Sequence, residues 1–231
     1  MNTKQWKRRL ARVSIVFLVA SSWAGERDDE VLRQHWVTGQ AALEDSFFKT
    51  AETELRRYLE GLPPAAVAER AEAAHLYLQA MASQQKFEEL LELLRAAPAW
   101  LGKKPSALHA FWRAYALHRL DQHEDAATLL LGLTQDASTG PLGPLIMRLL
   151  AACMLDMGNT QEAGRLYREF DKLYSDNVDA GQNLMDLARL LISEENYVLA
   201  GDVLTRLLLH AENTLLNQEA RYWLGRVLTA Q

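Results

Sequence analysis

The sequence predicts an all-α protein built as a solenoid of helix–turn–helix repeats. The 231-residue chain is rich in Leu, Ala, Glu, Arg and Gln, which lose little side-chain freedom in a helix. It has only six Pro and twelve Gly, and runs of β-branched residues are scarce outside the N-terminus, so a sheet is not favoured. Small residues recur about every 37 positions, which indicates a repeat array.

The first two dozen residues indicate a secretory leader. "MNTKQWKRRLAR" is basic, "VSIVFLVA" is a short apolar segment, and Ser22 and Ala24 provide small residues before Gly25. The apolar run is much shorter than the roughly 20 residues that cross a bilayer, so we expect no integral membrane span in the mature chain. We predict a signal peptide over 1–24 and a periplasmic location. An uncleaved leader that tethers the protein, secretion, or an ordinary first helix are the alternatives.

Charge argues against nucleic acid as a partner. The leader contains five of the 25 basic residues and none of the 30 acidic ones, so a processed chain would be near −10. An acidic protein of this kind repels phosphate backbones and anionic membrane surfaces.

The repeat is defined by pairs of small residues twelve positions apart, one in each helix of a hairpin. Helices approach within about 8–10 Å only where such small side chains cross. The second unit departs from the pattern, with Leu78 and Leu90 in these places. The other first-helix anchors are Gly39, Ala114, Ala151, Ala188 and Gly225, and the other second-helix anchors are Ala51, Ala126, Ala163 and Ala200.

Large residues flank the second-helix anchors, and turn residues separate the units. Because positions three and four apart share a helix face, we expect one buried stripe per second helix. That stripe is Leu55, Leu94, Leu130, Tyr167 and Leu204, then Tyr58, Leu133, Phe170 and Leu207. Pro- and Gly-containing segments such as "GLPP" and "DASTGPLGP" end units. The predicted domain spans 25–231, with units at 30–61, 65–97, 105–135, 141–174, 180–211 and an incomplete 214–231.

This pattern resembles the tetratricopeptide repeat (TPR), whose small positions also stand twelve apart. The resemblance implies a right-handed α-solenoid of about five and a half units. "EARYWLGRVLTAQ" is most similar to TPR units of exported bacterial envelope proteins, of the outer-membrane assembly and Tol–Pal coordinator types. It therefore implies a protein-binding scaffold in cell-envelope assembly or maintenance.

The last unit contains a first helix only. We expect Leu224 and Val227 there to face solvent or another molecule, which suggests self-association at this end. The alternative is that the chain is the N-terminal TPR portion of a larger exported protein whose activity lies downstream of Gln231.

A search for catalytic or metal chemistry leaves one weak cluster, "HRLDQHED". His118 and His123 are five apart with a turn expected between them, whereas helical ligands stand three or four apart. No nucleophile elbow, H-E-x-x-H pair or phosphate loop occurs. Cys153 lies in an apolar helix and behaves as a buried small hydrophobe. We expect no enzyme activity, no cofactor and no metal, although bound zinc would revive the enzyme hypothesis.

The TPR resemblance also implies which residues would contact a partner, because first helices of that family line a concave groove. Arg and aromatic residues dominate binding hot spots, and three Arg along one groove could capture a carboxylate-bearing protein or peptide. The alternative for Trp36, Phe111 and Met185 is packing between units. The candidate residues are Trp36, Gln40, Phe111, Tyr115, His118, Arg148, Arg189, Tyr222 and Arg226.

Overall fold

A computed structural model describes residues 26–101, 106–134, 137–210 and 214–230. Within these ranges the chain is helical apart from short turns, and they contain no strand. The all-α prediction is therefore confirmed. The predicted leader at 1–24 lies outside the described residues. None of the helices in the described ranges combines the length and the hydropathy needed to cross a bilayer.

The chain divides into two compact units, Met1–Gln122 and His123–Gln231. Sequence-adjacent helices pack against each other throughout each unit. The first unit contains α1 (Glu26–Glu44), α2 (Phe48–Gly61), α3 (Val67–Ser83), α4 (Phe87–Ala96), a 3₁₀ turn (Ala99–Leu101) and α5 (Ala107–Arg119). The second contains α6 (His123–Thr134), a 3₁₀ segment (Ala137–Leu142), α7 (Gly143–Asp156), α8 (Thr160–Leu173), α9 (Ala180–Ser193), α10 (Tyr197–His210) and α11 (Thr214–Ala230).

Every turn inside a repeat has the same backbone geometry. In each, one helix ends and the next begins four positions later, and the second of the three turn residues is left-handed. These residues are Ser46, Gln85, Asp121, Gly158 and Glu195, with φ between 57° and 77°. Only Gly158 adopts this conformation without a Cβ penalty. The same turn conformation therefore occurs in every one of these repeats. Four of the five left-handed residues are not glycine, so their backbones are locally strained.

The small anchors other than Gly225 are buried, as their spacing predicts, whereas Gly225 is exposed. A Cβ on Gly39 would lie 2.8 Å from Leu55 Cγ, so α1 and α2 touch at that point. Leu78 and Leu90 are also fully buried, which shows that the second repeat fills its crossing with larger side chains. Side-chain exposure is 0% at Ala51, Ala114, Ala126, Ala151, Ala163, Ala188 and Ala200.

Most of the predicted apolar stripe is buried in the core, whereas Leu94 and Tyr58 are only partly buried. Leu55, Leu130 and Leu204 are fully buried four residues after their anchors, and Phe170 and Leu207 are fully buried three residues later. Burial of a side chain of this size stabilises the fold by roughly 1.5–3 kcal/mol. These buried side chains hold α2, α6, α8 and α10 in contact with neighbouring helices.

In two places a polar side chain of one helix donates hydrogen bonds to backbone carbonyl oxygens of neighbouring segments. Arg70 donates to the carbonyl oxygens of Leu62 at 2.7 Å and Trp100 at 2.7 Å, which joins the end of α2 to the 3₁₀ turn after α4. In the second unit, the buried Asn183 amide donates to the Tyr167 carbonyl at 2.9 Å, linking α9 to α8. The Arg70 bonds satisfy carbonyl oxygens that lie outside the α-helices, and the Asn183 bond adds a second donor to a carbonyl within α8.

Candidate partner-binding surface

Of the two α1 candidates, Trp36 contacts α2. The Trp36 ring lies 5.0 Å from that of Tyr58 on α2, and its side chain is partly exposed. Gln40 is partly exposed one turn later. Trp36 therefore packs within its own repeat while one part of the ring remains open to solvent.

The α5 candidates are mostly packed inside the first unit. Phe111 is only 3% exposed, so it belongs to the core and does not line an open groove. Tyr115 is partly buried with its ring 6.3 Å from Phe87, and burial raises the pKa of its phenol. Arg119 donates to the Tyr115 hydroxyl at 3.4 Å. Phe111 therefore agrees with the alternative that it packs inside the fold and does not contact a partner. His118 is partly exposed in the last turn of α5.

A hydrogen bond joins α3 to α5, and no sequence pattern predicts it. The Trp112 indole N–H donates to His75 Nδ1 at 3.2 Å, and the two rings lie 5.5 Å apart. Burial lowers the pKa of His75 to about 4. An Nδ1 that accepts a bond has no proton, so the packing holds His75 neutral.

Arg148 lies inside an ion-pair network of the second unit. Its guanidinium is 3.2 Å from Asp179 Oδ1 and 3.1 Å from Asp186 Oδ2, which places α7 against α9 and the residue before it. The Arg148 side chain is only 13% exposed. Gln182 donates to the other Asp186 oxygen at 3.0 Å. Two carboxylates already neutralise Arg148, so its geometry does not support capture of a third from a ligand.

Arg189 extends the network to the exposed side of α9. It donates to Asp186 Oδ1 at 3.4 Å and also pairs with Glu219 on α11. The Arg189 side chain is 41% exposed, so solvent screens these pairs and a partner can reach the guanidinium. Arg189 thus remains a candidate contact residue, in contrast to Arg148.

The helix α11 presents an exposed aromatic residue next to an exposed basic one. Tyr222 is 59% exposed, and its ring lies 5.4 Å from that of Trp223. The Arg226 guanidinium lies 5.4 Å from the centre of the Trp223 ring, within the range of a cation–π contact. Arg226 itself is exposed. This arrangement presents a positive charge and aromatic surface together.

Burial on α11 differs from the expectation at one position. Val227 is 1% exposed, so the prediction that it faces solvent is wrong. Val227 shares the buried side of the helix with Leu216 and Ala220, because α10 and α9 contact that side. Leu224 is partly exposed, and the apolar residues on the open side are Tyr222 and Leu228.

The residues considered for metal or thiol chemistry have packing or ionic contacts. His123 is the first residue of α6, and its Nδ1 lies 4.0 Å from Asp156 Oδ2 on α7. Cys153 is fully buried, and burial raises the pKa of its thiol to about 12. The thiolate is therefore absent at neutral pH, which makes Cys153 a poor nucleophile. The expectation that no metal binds stays a prediction.

No protein-family model matches the chain, and no curated protein sequence matches it significantly. Solved structures do match. The chain is 19% identical to Pseudomonas aeruginosa pilF, with 87% of this chain and 90% of that chain covered and a TM-score of 0.62. A tetratricopeptide repeat protein from Parabacteroides merdae is 15% identical, with coverage of 89% and 78% and a TM-score of 0.55. TPR-like repeats of a Podospora anserina kinesin light chain are 19% identical, with coverage of 80% and 95% and a TM-score of 0.55.

These similarities show the fold. The chain is an α-solenoid of TPR-like helical hairpins, as the small-residue spacing predicts.

Proposed function

We propose that this protein is an exported, periplasmic TPR-like scaffold that binds a protein or peptide segment in a groove along its first helices. Its biological role would lie in cell-envelope assembly or maintenance. Binding uses helices that are already folded, so the protein itself loses little conformational entropy when a partner docks. Affinity comes from a few aromatic and Arg anchors.

The exposed set on α9 and α11 is the observation that carries this proposal. Arg189, Tyr222 and Arg226 are exposed on first helices, whereas Arg148, which occupies the repeat position of Tyr222, is held by two carboxylates. Exposed Tyr and Arg side chains are over-represented among residues that dominate protein–protein affinity. The similarity to TPR-type structures supports a binding role for this surface.

Partner capture is tested by a double substitution, Arg189→Ala with Arg226→Ala, in the tagged full-length protein. We expect co-purified partners from the cell envelope to fall at least about tenfold, with the circular dichroism spectrum unchanged. The matched control is Arg165→Ala with Arg206→Ala, two ion-paired and half-exposed Arg on second helices. Equal loss from both double variants, or no loss from either, would refute the first-helix assignment.

Export is tested separately by mass spectrometry of the protein from fractionated cells. We expect the periplasmic fraction to contain a chain that begins at Gly25, because cleavage follows Ala24. An unprocessed chain found only in the cytosol would refute export and would leave the binding proposal intact.

A further inference from the structure

Aromatic and acidic side chains lie together in the first unit, where α1, α2 and α3 contact one another. We call this surface the acidic-aromatic cluster, defined by Trp36 of α1, Tyr58 of α2, and Glu69 and Glu72 of α3. The Trp36 and Tyr58 rings lie 5.0 Å apart, and both side chains are partly exposed. Burial raises the pKa of the Tyr58 phenol, and the charges of Glu69 and Glu72 raise it further. Both carboxylates therefore lie near this ring.

No basic side chain in the described ranges pairs with either carboxylate of the cluster. The nearest cation in sequence is Arg70, which follows Glu69. Its guanidinium donates at 2.7 Å to the carbonyl oxygens of Leu62 and Trp100, so it joins backbone segments and does not neutralise Glu69. Partial desolvation raises the pKa of the Glu72 carboxyl, and the negative charge of Glu69 raises it further. The cluster thus holds two like charges without a cation between them.

The basic residues beside the two rings have other partners. His35 precedes Trp36, and its Nδ1 lies 2.6 Å from one carboxylate oxygen of Glu54. Arg57 precedes Tyr58 and lies 2.9 Å from the other oxygen of Glu54. Within the described part of the chain, no guanidinium or ammonium group lies over either ring.

A further acceptor on this side of α3 lacks a donor. Gln79 follows Glu72 by two helical turns, so the two share a helix face, and it occupies the repeat position of the candidate Gln40. Gln79 is 3% exposed, and its Oε1 has no hydrogen-bond partner among the described residues. The carboxylates, the ring faces and this amide oxygen all favour a ligand that donates hydrogen bonds and carries positive charge.

We infer that the acidic-aromatic cluster binds an Arg side chain of a partner protein segment. The inference rests on the proposed function and assigns the chemistry that α1 and α3 recognise in the groove. A guanidinium is planar, so it stacks on the exposed part of the Trp36 ring while its N–H groups donate to Glu69 and Glu72. Lys binds more weakly, because an ammonium is more strongly hydrated and cannot stack.

The test measures binding of Nα-acetyl-arginine amide to the full-length protein by fluorine nuclear magnetic resonance after fluorotryptophan labelling. The Trp36 signal is identified as the one that is missing from Trp36→Phe. We expect this signal to shift saturably with a millimolar dissociation constant, because a single cation–π contact and exposed ion pairs are individually weak. Nα-acetyl-citrulline amide has nearly the same shape without the charge, and it should leave the signal unchanged.

Removal of the two carboxylate charges tests their role. Glu69→Gln with Glu72→Gln should weaken binding of the arginine amide at least about fivefold. The matched control is Glu88→Gln with Glu89→Gln, which changes two exposed carboxylates in the first turn of α4 and should leave binding unchanged.

An unshifted Trp36 signal, an equal shift with the citrulline amide, or equal effects of the two double variants would overturn the inference. A signal that shifts only after removal of residues 1–24 would also overturn it, because the basic leader would then occupy the cluster. The probe needs no partner protein. Binding of the arginine amide therefore stands even if the variant with Arg189→Ala and Arg226→Ala keeps its partners, so failure of this inference is distinguishable from failure of the proposed function.

Discussion

Gly39 and Gly225 occupy the same repeat position, yet the structure predicts opposite effects when each is replaced by Ala. Both substitutions gain helix propensity of about 0.8–1.0 kcal/mol, since Gly is less favourable than Ala in a helix interior. At Gly225 nothing lies within 4 Å of the added methyl group, so that gain is retained. We expect Gly225→Ala to stabilise the protein by about 1 kcal/mol.

At Gly39 the added methyl group meets Leu55. Its distances would be 2.8 Å to Cγ, 2.9 Å to Cδ2 and 3.3 Å to the backbone nitrogen, and Leu55 is fully buried. Relief of such a contact in a packed core costs about 1–3 kcal/mol. After the propensity gain is subtracted, Gly39→Ala should be neutral to destabilising by about 2 kcal/mol. The two variants should therefore differ by roughly 1–3 kcal/mol.

Urea denaturation monitored by far-ultraviolet circular dichroism measures this difference. Gly132→Ala is the matched control, because Gly132 is an exposed helical glycine with no atom within 4 Å of an added Cβ. It should raise the urea midpoint as Gly225→Ala does, with the m value unchanged. If Gly39→Ala raised the midpoint equally, α1 and α2 would not make the close contact on which the repeat assignment rests.

Three further predictions concern two turns, a partly buried histidine and an ion-pair network. Glu195→Gly should stabilise the protein and Gly158→Ala destabilise it, each by about 1 kcal/mol in thermal or urea unfolding, because both residues have a left-handed backbone. His75 has a pKa lowered to about 4, so the unfolded chain takes up its proton first as the pH falls below about 6.5. Its contribution to stability should fall by up to about 2 kcal/mol between pH 7 and pH 5, and His75→Gln should reduce that pH dependence of the urea midpoint. Arg148→Ala should destabilise the protein by about 3 kcal/mol, because the largely buried Asp179 and Asp186 lose one cationic partner while Asp186 keeps its contacts with Gln182 and Arg189. Arg189→Ala should cost less than about 1 kcal/mol because its pairs are more exposed, and thermal unfolding compares the two variants.

The sequence predicts the fold well because packing of helical hairpins depends on side-chain size at fixed positions. Gly39 and Ala163 could be identified as contact points from spacing alone. The strained turns could not, because residues such as Gln85 and Glu195 have no intrinsic preference for a left-handed backbone. The signal that these turns carry in the sequence is their regular interval of 36 to 39 residues.

The candidate surface was harder to predict because side-chain pairing depends on how one repeat is placed on the next. Arg148 and Asp186 are 38 residues apart, and nothing in their local sequence shows that they meet. Phe111 and Tyr222 occupy equivalent positions, yet one is 3% exposed and the other 59%. The difference in exposure depends on which helices pack against each residue and not on the repeat position alone.

Site-specific photo-crosslinking in living cells is the most direct test of the claim that first helices bind a partner. A photoreactive phenylalanine analogue would replace Arg226 on α11, and in a matched variant it would replace Leu173, which is 60% exposed on the second helix α8. The proposal predicts a discrete protein adduct from position 226 and none from position 173. Equal adducts from both positions, or an adduct from position 173 alone, would contradict it.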